Sequence, residues 1–298
     1  MNKLVYTAIV SALAAYAQST YYVSPSGNDS TGVGSSSNPS ATPARAIPQI
    51  PGNGSTIIAR DGTYGQTLIT RKFEKRVLLR AENAYRARIH NANALALFVW
   101  NASNVEIAGF DIARTNPLTP HPLATHIAAS TNIVFRNNFI HESYNNDLVK
   151  INEESRGVVI IGNIFRNQQG GAGQHIDVNG CTDVTIRDNI FFNDAAAGSM
   201  SQAAINLTHG FIVVKNSGNV PESRRTRIVN NVFLNYQGSL GSNYVLIGED
   251  AKPFHEAQEI DVENNLMMGN SWMRMRAPFS VKGGRDIVFR NNTVVGNI

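Results

Sequence analysis

Seven stretches of this sequence repeat one short pattern, alternating apolar residues followed by a Gly/Asn turn, and such a repeat leaves a chain very few architectures. They are VEIAGFDI (105–112), IVFRNNFI (133–140), VVIIGNIF (158–165), VTIRDNIF (184–191), TRIVNNVF (226–233), IDVENNLM (260–267) and IVFRNNTV (287–294). Aligned on the second apolar position, the anchors fall at 107, 135, 160, 186, 228, 262 and 289, spaced by 28, 25, 26, 42, 34 and 27 residues. Four spacings approximate one repeat length, and the two long ones predict loops inserted between coils. Three residues after the anchor, six segments carry Asn: Asn138, Asn163, Asn189, Asn231, Asn265 and Asn292, with Phe110 the exception. Asn tolerates left-handed backbone, and stacked amides can bond from coil to coil, so a column of Asn is expected at a repeated turn.

A second short strand precedes most of these segments: LVKIN, HIDVN, FIVVKN, YVLIG and PFSVK. Each coil therefore has at least two strands, joined by turns too short for a crossover helix. Units of this size cannot close a core alone, but stacked they bury a continuous one. The predicted fold is all-β, a right-handed parallel β-helix (solenoid). Helical repeats are excluded because no segment keeps apolar residues at three-and-four spacing.

The ends read differently. One lysine and the apolar run LVYTAIVSALAAYA precede Gln18, which predicts a secretory signal peptide over 1–17 and an exported, soluble mature chain. Residues 18–95 begin Gly/Ser/Pro-rich and then give strands around a turn, the pattern of an N-terminal cap followed by the first β-helix strands; 96–298 hold the coils. No polar segment follows the last repeat, so the C-terminal coils are expected to be incomplete and the sequence a fragment of a longer chain, the alternative being a partner that covers the last edge. The lone Cys181 excludes an intrachain disulfide and reads as a small buried residue. With no CxxC, no HExxH and seven histidines that lack ligand spacing, a zinc site is disfavoured. A net charge of +4 with dispersed basic residues suits an acidic polymer rather than nucleic acid.

The start YYVSPSGNDS, the later ARAI and then IIARDGTY resemble the opening of secreted β-helix proteins of the pectate lyase superfamily, most closely family 9 polysaccharide lyases. That resemblance implies a secreted β-helix and a polysaccharide lyase activity. Family 9 lyases carry Asp and Lys close together on a strand, matched here by Asp147 and Lys150, although their Asp-Gly-Phe context is missing. The paired aspartates and the Arg-Ile-Lys signature of family 28 glycoside hydrolases are absent. So is the Arg-His pair of family 6 lyases, where this chain has HIDVN.

Strand alternation supplies the candidate site. With Val149 and Ile151 inward, Leu148, Lys150 and Asn152 point outward; with Ile176 and Val178 inward, His175, Asp177 and Asn179 do the same. In-register pairing then puts His175 beside Leu148, Asp177 beside Lys150, and Asn179 beside Asn152. The chemistry that suits such a face is β-elimination on a uronic-acid polysaccharide, in which a cation neutralises the uronate carboxylate while a base removes the adjacent proton. Lys150 is the first candidate base, Lys215 the second, and His175 a further catalytic candidate. Asn152, Asn179, Arg274, Arg276 and Lys282 are candidate substrate contacts. Ca2+ is the expected cofactor, with Asp147, Asp177 and Glu153 as its ligands. A solvated Lys150–Asp177 pair with no catalytic role fits the same pattern. Two other functions fit the fold: a glycoside hydrolase using Asp177 with Glu249 or Asp250, and a non-catalytic carbohydrate-binding or adhesion protein. The expected partner is an acidic polysaccharide such as pectate or alginate, bound by a monomer with no nucleic acid or membrane partner.

Overall fold

The computed structural model describes residues 19–116, 123–144, 146–169, 173–193, 210–218, 221–235, 243–248, 252–270 and 276–297. Among them, strands from successive coils stack into three all-parallel sheets of ten, nine and eight strands, a parallel β-helix. The first sheet runs from Thr20–Val23 and Thr56–Ala59 to Ala257–Glu263 and Gly284–Arg290. The second runs from Gly62–Tyr64 to Thr293–Asn297, and the third from Thr67–Ile69 to Phe279–Val281. The expected signal peptide lies outside the described residues. No helix among those described is long and apolar enough to cross a membrane.

Each coil has three strands where the repeat alone implied at least two. A segment such as IVFRNNFI spans a corner: Thr131–Arg136 ends in the first sheet, Asn137 and Asn138 turn, and Phe139–Tyr144 starts in the second. Parallel register brings one inward residue of every coil into a column. One column is Ile107, Phe135, Ile160, Ile186, Ile228 and Val262 in the first sheet. A second is Ile112, Ile140, Phe165, Phe191, Phe233 and Met267, and its phenyl rings stack 4.7 Å and 4.9 Å apart. The third sheet contributes Val99, Ile127, Ile151, Val178, Val214 and Ile247. All of these are fully buried, each worth roughly 1.5–3 kcal/mol for side chains of this size.

The Asn column sits at the corner between the first two sheets. The left-handed residue is the one before each ladder Asn: Asn137 (φ 54°), Gly162 (64°), Asp188 (58°), Asn230 (57°), Asn264 (55°) and Asn291 (54°). The ladder Asn is therefore selected for its amide rather than its backbone. Asn189 Oδ1 accepts from Asn163 N (2.8 Å) and Asn163 Nδ2 (3.1 Å), while Asn189 Nδ2 donates to Ile160 O and to Asn231 Oδ1, both at 3.0 Å. The pattern recurs from Asn138 to Asn292, and Phe110, which lacks an amide, still donates its N–H to Asn138 Oδ1 at 3.0 Å. Buried corner N–H groups that strand pairing leaves free are satisfied in this way.

The Gly/Ser-rich start is tied down by polar contacts. Asp29 accepts from Ala41 N, Thr42 N and Thr42 Oγ1 at 2.7–3.0 Å, and Thr42 caps the single-turn helix Pro43–Ala46.

Candidate functional site

The outer face of the third sheet carries Lys150, Asp177 and Lys215, as expected from the sequence. Strand Val149–Asn152 alternates buried and half-buried residues, and Lys150 lies opposite Asp177 of the next coil. Lys150 Nζ donates to Asp177 Oδ2 at 2.5 Å, and Lys215 Nζ approaches the same oxygen to 3.7 Å. Asp177 is nonetheless 1% exposed, and its Oδ1 is covered without a hydrogen bond. Lys150 also lies 3.7 Å from Asp147, at the corner before the strand, whose Oδ1 accepts from Gln174 N at 2.8 Å. The arrangement is two buried carboxylates beneath two ammonium groups that reach water.

Titration follows from that layering. Burial, reinforced by the nearby Asp177 charge, pushes the Asp147 carboxyl up to about 7 against the pull of Lys150. Burial works to lower the Lys150 ammonium, but the Asp177 and Asp147 carboxylates outweigh it and hold the group above its ordinary value. Lys150 is thus a resting cation, contrary to the base role expected for it, because a lysine serves as base only where its surroundings lower its pKa.

Other expectations need correction. His175 is not on the outer face: it is completely buried, its ring 4.5 Å from Phe211 and its Nε2 2.9 Å from Asn193 Oδ1. Burial takes its pKa down to about 3, so it is a neutral core residue. Leu148 is buried as well; it and His175 precede their strands, at the corner where the alternation of faces has not begun. Both ends of the Asn179 amide are used by Ser217, from Nδ2 to Oγ at 2.6 Å and from Ser217 N to Oδ1 at 3.0 Å, which makes Asn179 a turn lock rather than a substrate contact. Asp147, Asp177 and Glu153 do not form a cation cluster, since their ligand atoms are not within 4.8 Å of one another. Glu153 is exposed at a turn with φ 52°, and the space above Asp177 is taken by Lys150. This donor set does not fit Ca2+, which takes six to eight oxygens. Lys282 and Arg276 are exposed near the end of the same sheet. Arg274, Glu249 and Asp250 lie outside the described residues.

The structure adds residues that the sequence reading passed over. His126 is the register partner of Lys150 on the preceding coil, Phe98 is the partner of His126, and Leu68 of Phe98, forming one outward row. The His126 ring stacks on Phe98 at 5.0 Å and 11°, and Phe98 stacks on Trp100 at 6.1 Å; Trp100 is 46% exposed. His126 Nε2 lies 2.7 Å from Asn152 Oδ1. A carbonyl oxygen only accepts, so Nε2 carries the hydrogen and the neutral ring keeps its lone pair on Nδ1. Burial outweighs that hydrogen bond and lowers the His126 pKa below 6.5, so the ring is unprotonated at neutral pH. The signal for His126 was present in the sequence: THIA stands in the coil before VKIN at the same strand position, with His for Lys.

These features define a parallel β-helix whose third sheet presents a mixed aromatic and charged outer row. No family model matches the chain, and no curated protein matches it. Solved structures do match. Rice weevil pectin methyl esterase aligns over 91% of this chain and 90% of its own at 10% identity, with a TM-score of 0.58. Pectate lyase Pel9A aligns over 92% and 79% at 14% identity (TM-score 0.54), and a rhamnogalacturonan lyase over 86% and 70% at 15% identity (TM-score 0.55). At such identities the likeness is one of fold alone, the parallel β-helix.

Proposed function

We propose that the protein is an exported polysaccharide lyase that cleaves an acidic, uronic-acid polysaccharide by β-elimination on the outer face of the third sheet. One observation carries this reading: an imidazole that is unprotonated at neutral pH stands one strand from an ammonium group held in place by a buried carboxylate. Breaking a carbon–hydrogen bond next to a carboxylate needs that combination, because the cation stabilises the charge that develops as the base takes the proton. Lys150, with Lys215 behind it, receives the uronate carboxylate, and Asp177 fixes both ammonium groups. His126 Nδ1 accepts the proton; the electron pair forms the ring double bond and expels the glycosidic oxygen, which takes a proton from solvent. Asn152 orients the His126 ring through Nε2. Phe98 and Trp100 offer flat apolar surface to the faces of neighbouring sugar rings. No step is assigned to Ca2+, since the carboxylates of this face do not converge on a cation position.

The test is incubation with a panel of uronans, following absorbance of the unsaturated product with and without a chelator. A lyase gives that absorbance, and the His126→Ala protein, folded by circular dichroism, loses it. New reducing ends without absorbance would instead identify a hydrolase, and saturable binding with neither signal an adhesion protein.

A further inference from the structure

A second cluster lies on the second sheet and has no part in the chemistry above. His90, Asp111 and His141 come from three successive coils, on strands Ala87–Asn91, Asp111–Arg114 and Phe139–Tyr144. Their ligand atoms all lie within 4.8 Å of one another, the one such group of three among the described residues. His90 Nε2 is 2.8 Å and His141 Nε2 2.7 Å from the same Asp111 Oδ1.

The convergence has a cause in the register. His90 and His141 are both partners of Ala113, so one coil separates them and their backbones stand about 9.6 Å apart. Their rings nevertheless approach to 6.0 Å between centroids, at 82° to each other. They lean inward over Ala113, whose methyl leaves room, toward the Asp111 carboxylate of the middle strand. Phe139 stacks on the His141 ring at 4.2 Å and fixes its plane. Asp111 Oδ2 faces Arg88 at 3.9 Å, which leaves Oδ1 as the oxygen aimed at both rings.

We propose that His90, Asp111 and His141 form a binding site for a divalent transition-type cation such as Zn2+, held by two imidazole Nε2 atoms and one carboxylate oxygen. Ligands 2.0–2.2 Å from a tetrahedral zinc lie about 3.4 Å from one another, so opening each contact by about 0.6 Å seats the ion. The Nε2 hydrogens are then displaced, and each ring carries its hydrogen on Nδ1. For His141 that nitrogen is covered and has no hydrogen bond, and Glu142 Oε1 lies 3.9 Å from it, where an orienting carboxylate for such a ligand is placed. All three side chains are 15–20% exposed, so the remaining coordination position faces water. Nitrogen donors select Zn2+, Co2+ or Cu2+ over Ca2+ and Mg2+. The ligands are 21 and 30 residues apart, a spacing set by the coil rather than by a local motif. The expectation of no zinc site rested on local motifs alone.

The test uses chelator-treated full-length protein, titrated with Zn2+ in a calorimeter and with Co2+ by visible absorption. One Zn2+ per chain, Co2+ bands of tetrahedral or five-coordinate type and no comparable heat from Ca2+ are expected. His141→Ala and His90→Gln should each weaken Zn2+ binding by more than the roughly 10–100-fold typical of losing an outer partner. Glutamine at 90 retains a donor for Asp111, so a hydrogen-bonded cluster without metal function would survive it. Absence of saturable Zn2+ binding overturns the proposal, as does binding that both folded variants retain unchanged. Lyase activity is read separately, and its absence leaves this result intact.

Discussion

Asp147→Asn separates burial from ion pairing at the candidate site. The Asp147 carboxyl is 2% exposed, accepts Gln174 N–H at 2.8 Å and lies 3.7 Å from Lys150. If burial dominates, as its rise from 3.8 to about 7 states, the folded protein holds a proton that the unfolded chain releases. Below about pH 4 both states are protonated and the group costs nothing; as pH rises from about 4 to 7, stability falls, and above that the full cost remains. At about 1.36 kcal/mol per pH unit the displacement amounts to about 4 kcal/mol. Asn keeps the oxygen that accepts from Gln174 and cannot ionise. Guanidinium unfolding followed by circular dichroism should give near-equal stabilities at about pH 4 and an advantage for Asp147→Asn approaching 4 kcal/mol at about pH 8. An advantage that does not change with pH, or a variant less stable at the higher pH, would refute the reasoning and mean that Lys150 holds Asp147 ionised.

Three further outcomes are expected. His126→Ala should lower kcat on the cleaved uronan by roughly 10²–10⁴ with little change in KM, and the acid limb of the wild-type pH–rate profile should lie below the 6.5 of an ordinary histidine. Lys150→Met should raise KM and lower kcat together while the acid limb persists, moved to higher pH because the Lys150 charge no longer disfavours the His126 imidazolium; loss of that limb would return the base role to Lys150. Asn189→Ala strands the buried Asn163 N–H and breaks the amide chain on both sides, which should cost about 2–4 kcal/mol in urea unfolding. Asn292→Ala, half-exposed at the ladder's end, should cost less.

The architecture was legible because a solenoid writes its period into the sequence. Stacking repeats one environment every coil, so anchors such as Phe135, Ile160 and Ile186 recur in step, and the amides of Asn138 to Asn292 recur with them. The same regularity paired Lys150 with Asp177 correctly, since parallel register follows from aligning the repeats. Three-strand coils were less visible, because a one-residue left-handed corner leaves no gap in the apolar pattern.

Placement in depth was decided by the tertiary structure. Alternation puts a residue on a face only once the strand has begun, so His175 and Leu148, one position earlier, fall into the core. Nor does alternation report charge state: Lys150 reads as a base in sequence and is a held cation in the fold, because two carboxylates beneath it outweigh its burial. The charge state of His126 depends on its burial, and the His90–Asp111–His141 cluster on how far rings lean across a small residue. Sequence by itself determined the repeat, the register and the alternation of faces within each strand, since those follow from local geometry repeated. Protonation, ligand convergence and access to water were set only when separate coils were brought within a few ångströms, where burial and neighbouring charge act.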